Sequence, residues 1–275
     1  MMAYSLFAQA AVASEPLNLE FTGIVEPRAR VAIANQVTAT VASIHVVAGQ
    51  RVEKGHLLFE MDAAPFKIDV TTAQAELDEA RARLKLAEDV SYRQSTLAAG
   101  GSGGKARATQ AAIEVEVAKA VVARQESALA RAELALERTR IVSPIAGVVS
   151  HLRVSPGAFM EAEGGTTLGE LVQLDPILIA YKVPYEDRQR SLKKAGFAAA
   201  SRLFGNVLVT LLLPSGEAYP HAGRPLFESS QIDTQTGMLT TWAEFPNPDG
   251  ILLPGLSVRV LSSIHNRALT LDAPQ

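Results

Sequence analysis

A chain of 275 residues with 48% hydrophobic residues has room for two or more compact units and enough apolar side chains to fill their cores, which excludes a disordered chain. A formal net charge of -3 and a pI near 6.0, with Lys and Arg scattered among acids, give no electrostatic footprint for nucleic acid. The lack of cysteine excludes a disulfide framework, a cysteine nucleophile and a thiolate metal site within these residues, and no lipid held by an N-terminal cysteine is expected.

No apolar run reaches the roughly 18 residues of a membrane helix, so the body is expected to be soluble. The opening MMAYSLFAQAAVASEP resembles the end of a secretory signal, because Ala11 and Ala13 form an A-x-A pattern before Ser14. Residues 1–13 are accordingly read as a signal-peptide remnant, with an ordinary Ala-rich tail as the alternative, since the first basic residue is Arg28. LNLEFTGIV then reads as a strand.

Two segments look alike when Thr40 is laid on Val148: TVASIHVVAGQRVEKGHLL and VVSHLRVSPGAFMEAEGGTTL. Ile44, Val46, Gly49 and Val52 fall on Leu152, Val154, Gly157 and Met160, and Gly55 meets Gly164 after one inserted residue. Each copy alternates apolar residues before a glycine turn, the signature of a strand, a tight turn and a second short strand. Gly49, Gly55, Gly157 and Gly164 are the expected structural turns. Neither copy has strands enough for a stable sheet, so the two are expected to pair into one sandwich. Asp62 and Asp175, each ending a copy, are assigned turn or cap roles.

Between the copies the period changes. Phe66, Val70, Ala73, Leu77, Ala80, Leu84 and Ala87 recur in steps of four and three, and after a glycine cluster Ala111, Val115, Ala118, Val122, Gln125, Leu129, Ala132 and Leu136 do the same. This spacing predicts two helices of roughly 33 residues, about 50 Å each, running out and back as an antiparallel coiled coil. Pro65 fits the first helix start and Pro144 lies beyond the second. The stretch AAGGSGGKA (98–106) contains G-x-S-x-G, but a nucleophile elbow needs a strand entering it, and a phosphate loop needs glycine at Ala99 and Ser or Thr at Ala106. It reads instead as the hairpin tip.

From Leu174 to Ile264 strands with turn punctuation predict a small β-barrel, interrupted by one helix from Tyr185 to about Lys194, with Trp242 and Phe245 both assigned to its core. The fold class expected is mainly β plus α and elongated: a β-barrel (17–30 and 175–264), a lipoyl-like β-sandwich of two split halves (31–64 and 141–174), and a long antiparallel helical hairpin (65–140).

The split repeat around a hairpin, RTRIVSPIAGVV entering the second copy, and FPNPDGILLPGLSVRV from Phe245 resemble the periplasmic adaptor subunits, or membrane fusion proteins, of resistance-nodulation-division (RND) efflux pumps. The resemblance spans about residues 17–264. It implies a non-catalytic periplasmic protein, associated with the inner membrane through its partners and assembling as a homo-oligomer, a trimer or hexameric ring. Its implied partners are an inner-membrane proton-driven transporter and an outer-membrane channel. The family's tip often carries Arg, then Leu four residues later, then Ser seven after that. Arg93 and Leu97 match, Gly104 takes the third place, and Ser102 lies two residues early. Arg93, Leu97, Ser102, Gly104 and Lys105 are thus the expected channel contacts, and Asn247, Pro248, Asp249 and Gly250 the expected transporter contacts. Residues 265–275 are read as the start of a truncated membrane-proximal region.

Two other readings remain open beside it. An adaptor of an ABC-type exporter or type I secretion system would share these parts, although such adaptors tend to have an N-terminal span and longer hairpins. A lipoyl or biotinyl carrier would need a lysine at the turn between half-motifs, where EMDAAPF has none. His45, His56, His151, His221 and His265 make no metal-ligand spacing and no HExxH, so no catalytic, metal or cofactor site is assigned.

Overall fold

The computed structural model describes residues 18–101, 104–162, 167–195, 204–205 and 207–264. Ser102, Gly164, His265, the signal remnant and the membrane-proximal start lie outside the described residues. In chain order the elements are β1 (Asn18–Ala34), β2 (Ala39–Ile44), β3 (Arg51–Val52), β4 (Leu57–Met61), α1 (Ala64–Ala99), α2 (Lys105–Glu137), β5 (Arg140–Val142), β6 (Gly147–Leu152), β7 (Phe159–Met160), β8 (Thr167–Pro184), α3 (Tyr185–Ala195), β9 (Val207–Leu212), β10 (Arg224–Glu228), β11 (Met238–Phe245) and β12 (Ser257–Ile264). They make a mixed α/β protein of two units. One runs from Val31 to Leu171, and the other holds the described residues up to Arg30 and from Val172.

In the first unit the two half-motifs exchange strands. β2 of the first copy pairs with β7 of the second, and β3 of the first pairs with β6 of the second. The exchange is two-fold in hydrogen bonding as well. Val41 N–H donates to Ala158 O (2.8 Å) as Val149 N–H donates to Gln50 O (2.9 Å), and Gly157 N–H donates to Val41 O (2.8 Å) as Gly49 N–H donates to Val149 O (2.7 Å). These close contacts need a chain that turns at once after the strand. Gly49 (φ 84°) and Gly157 (φ 86°) supply it from the left-handed region that side chains avoid. Val52 and Met160, equivalent in the repeat, are buried with Val41, Phe59, Leu58, Val149, Leu168 and Leu171 in one core.

The hairpin leaves this core through α1 and returns through α2. Asp62 Oδ1 accepts the Ala64 N–H (3.0 Å) at the entrance, while Met61 N–H donates to Thr139 O (2.8 Å) at the exit, so both roots are tied to β4. Helices of 36 and 33 residues span about 54 and 50 Å at 1.5 Å per residue. Arg81 on α1 pairs with Glu126 on α2 (3.1 Å), and Ala98 touches Gly104, so the two run antiparallel. Every residue of the 4-3 stripes is buried or half-buried, Ala73, Leu77, Ala80, Ala111 and Val115 fully so.

In the second unit six strands form a curled sheet in the order β10-β11-β8-β1-β12-β9. The outer edge of β9 is bonded in turn to Gly223, just ahead of β10: Val209 N–H donates to Gly223 O (3.0 Å) and Gly223 N–H to Val209 O (2.8 Å). Inside lie Val25, Ile177, Ile179, Val209, Leu211, Phe245, Leu252, Val258 and Val260. Trp242 is not among them, which corrects its assignment to the core. Along β11 burial alternates, and residues three apart face opposite sides of a strand, so Phe245 points inward and Trp242 outward. There the indole stacks on Phe227 (centroids 4.8 Å) and its N–H donates to Glu26 (3.0 Å).

Candidate functional site

At the hairpin end the last turns of α1 are polar and exposed. Leu97 is the exception, an apolar side chain 69% exposed with no seam partner to cover it. Arg93, one turn earlier on the same face, keeps an exposed guanidinium held by Asp89 (2.8 Å). Ser95 and Thr96 hydroxyls both donate back to Tyr92 O (2.8 and 2.9 Å), which draws these two polar side chains onto the helix. Lys105 is exposed at the start of α2. Gly104 is half-buried, and its lack of a side chain has a local cause. A Cβ there would stand 2.8 Å from the Ala98 Cα, so the two helices approach backbone to backbone. A serine at this position would force them apart. The tip therefore offers Leu97, Arg93 and Lys105 as side chains, while Gly104 sets the closeness of the turn.

Tyr92 is the residue that the reading of the sequence missed. It is among the most exposed large side chains of the described residues, beside Arg93. Its signal was present: it falls outside the seam register, on a turn where an aromatic has nothing in its own hairpin to pack against.

On the second unit, the loop after β11 divides into two kinds of residue. Pro248 and Asp249 are exposed, and Gly250 closes the turn with its N–H on Asn247 O (3.2 Å). Asn247 is 0% exposed, which corrects its expected role as a contact. Its Nδ2 donates to Leu174 O and Leu252 O (both 2.9 Å), and its Oδ1 accepts Leu252 N–H (3.1 Å). Its backbone N–H donates to Asp175 Oδ1 (2.8 Å), and the Tyr219 hydroxyl lies 3.3 Å from Oδ1. A buried amide with its polar atoms met fixes a loop; it does not reach a partner.

One cluster has the residue types of a hydrolase. Ser43, His45 and Glu60 meet on the sandwich surface, with Ser43 Oγ 3.0 Å from His45 Nε2 and Glu60 Oε2 3.1 Å from the same nitrogen. A relay requires the hydroxyl on one ring nitrogen and the carboxylate on the other. Here both share Nε2, so no proton can pass through the ring. What the cluster does is hold the Glu60 carboxyl below its ordinary range, through hydrogen bonds from His45 and then Ser43, with Arg140 3.8 Å away adding charge. Among the other described histidines, His151 accepts from Arg153 Nε (2.9 Å) and His221 sits edge-on to Tyr219. Among the described residues no three His, Asp or Glu side chains gather as metal ligands, and no helix is long and apolar enough to cross a membrane.

Residues 29–173 match the family model described as RND MFP, barrel-sandwich hybrid domain, and residues 176–265 match RND MFPs, beta-barrel domain. The multidrug resistance protein MdtE of Escherichia coli K12 is 28% identical over 256 residues, which is 93% of this chain and 66% of that protein. The multidrug efflux pump subunit AcrA of the same strain is 28% identical over 90% of this chain and 63% of its own length. The chain thus spans just under two thirds of the curated relatives it matches. Among solved structures, a MacA-MexA chimera containing the Pseudomonas aeruginosa MexA α-hairpin domain shares the fold, with a TM-score of 0.61 and 22% identity over 90% of this chain and 79% of that one.

Proposed function

This chain belongs to the family of RND membrane fusion proteins, and from that premise we propose that it is a non-catalytic periplasmic adaptor. It links an inner-membrane, proton-driven efflux transporter to an outer-membrane channel, for export of drugs or other small molecules. In this reading residues 17–30 with 175–264 close into a β-barrel, 31–64 with 141–174 form a lipoyl-like domain, and 65–140 form the hairpin. The adaptor works as a ring of identical copies, a trimer or a hexamer, in the periplasm. The hairpin end meets the channel through Leu97, Arg93 and Lys105, with Tyr92 beside them. Pro248 and Asp249 meet the transporter on a loop that Asn247 holds from inside.

The observation that carries this is the exposed Leu97 at the end of two helices about 50 Å long that are rooted in β4. Nothing in the hairpin itself gains from an apolar side chain there, whereas a partner surface would. The adaptor gene carrying Leu97→Asp, placed in a strain lacking the native copy, is expected to give folded protein at normal levels and lost drug resistance. Wild-type resistance in that strain would contradict the proposed contact.

A further inference from the structure

Where α3 lies against the curled sheet, the described residues line a partly open pocket with room for water of about 50 Å³. Its wall carries Tyr181 from β8, Thr241 from β11 and Ser191 from α3, at 3%, 4% and 7% exposure. α3 is fastened at the edge of this pocket by Arg188, whose Nε donates to Glu228 Oε2 (2.9 Å) at the end of β10, with a second bond from Nη2 to Glu228 Oε1. Phe21 stacks on the Tyr181 ring (centroids 5.6 Å).

The three hydroxyls have no hydrogen-bond partner among the described residues. No fully occluded side-chain oxygen of the described residues lacks one, so these oxygens are within reach of water. Burying a hydroxyl without a partner is costly, and protein interiors avoid it. Burial also pushes the Tyr181 phenol well above its usual range, so it is a permanent donor. The room it offers is too small for a drug-sized molecule. A water needs about 10–15 Å³ of such room and two to four polar partners.

We propose that this pocket is a hydration site, in which ordered water bridges Ser191 of α3 to Tyr181 and Thr241 of the sheet. Water suits the wall because each hydroxyl both donates and accepts, and a neutral guest leaves the Arg188–Glu228 pair undisturbed. The consequence is mechanical: among the described residues α3 is held to the sheet by the Arg188–Glu228 ion pair, by Leu192 against the core and by a water-mediated clasp.

A high-resolution crystal structure of the protein tests this directly. Ordered density within about 3.2 Å of at least two of the three hydroxyls is expected. A pocket without such density, one that takes up xenon under pressure, or one holding density elongated beyond a water would overturn the proposal, since xenon marks a dry apolar space. A second measurement uses sign. If waters bridge these groups, Tyr181→Phe, and separately Thr241→Val, each removes an anchor and lowers Tm by about 2–4 °C. If the pocket is dry, each removes an unmet polar group, and Tm stays level or rises.

Discussion

Along its two helices the hairpin fully buries Ala73, Leu77, Ala80, Ala111 and Val115, three of them alanines, whereas the curled sheet buries Phe245, Leu211, Ile177, Ile179, Leu252 and several valines. Small seam residues let two backbones come close, but each carries little transfer free energy. The hairpin's stability is therefore spread thinly over many turns, and its outer faces remain wet. The sheet concentrates its stability in a few large side chains. The difference teaches where the molecule tolerates change: a tip on a thin, distributed scaffold varies without unfolding its base, while a loop on the sheet is fixed from within.

That contrast breaks most visibly at Phe245. Phe245→Ala empties the centre of the sheet and is expected to cost about 3–5 kcal/mol, measured by chemical denaturation. If the loss were under about 1 kcal/mol, the sheet would not have the concentrated core described. Leu77→Ala, the largest fully buried side chain of the seam, is expected to cost about 2–3 kcal/mol, at the low end for leucine because the half-open seam can settle around it. Helical signal should melt earlier while the sheet signal stays in place. Asn247→Ala leaves the Leu252 N–H and two carbonyls without partners and should cost about 1–3 kcal/mol. Asp249→Ala, two residues on, should lie within about 0.5 kcal/mol, so the pair separates the buried post of the loop from its exposed face.

The smallest effect is electrostatic. The hydrogen bonds from His45 and Ser43 lower the Glu60 pKa relative to the unfolded chain, so their support is present above the unfolded value and is lost as pH falls through the folded one. NMR titration should give a midpoint below the ordinary 4.5, and His45→Ala should raise it. An unchanged midpoint in that variant would mean that His45 is not the main cause.

Much of this architecture is legible in the residues. The 4-3 stripes predict the seam position by position, because contact between neighbouring helices is written in local spacing. The half-motifs announce that they pair, yet not that β2 and β3 each take a partner from the other copy, since a strand's ladder partner is chosen in space. Asn247 is hidden for the same reason. N-P-D-G has the chemistry of an exposed turn, and the acceptors that draw its amide inward include Leu174, far away in the chain. Trp242 is a different case, because its spacing of three from Phe245 already places the two on opposite faces of a strand. At the tip, the need for a glycine at position 104 is set by Ala98, a neighbour that only the folded turn brings against it.

The most direct test of the adaptor reading uses the lack of cysteine in this chain. A single Leu97→Cys variant, expressed in intact cells and treated with a short thiol-to-amine crosslinker, is expected to yield a covalent adduct with an outer-membrane channel. Folded, exported protein that gives no such adduct would contradict the claim that this hairpin end is the docking point.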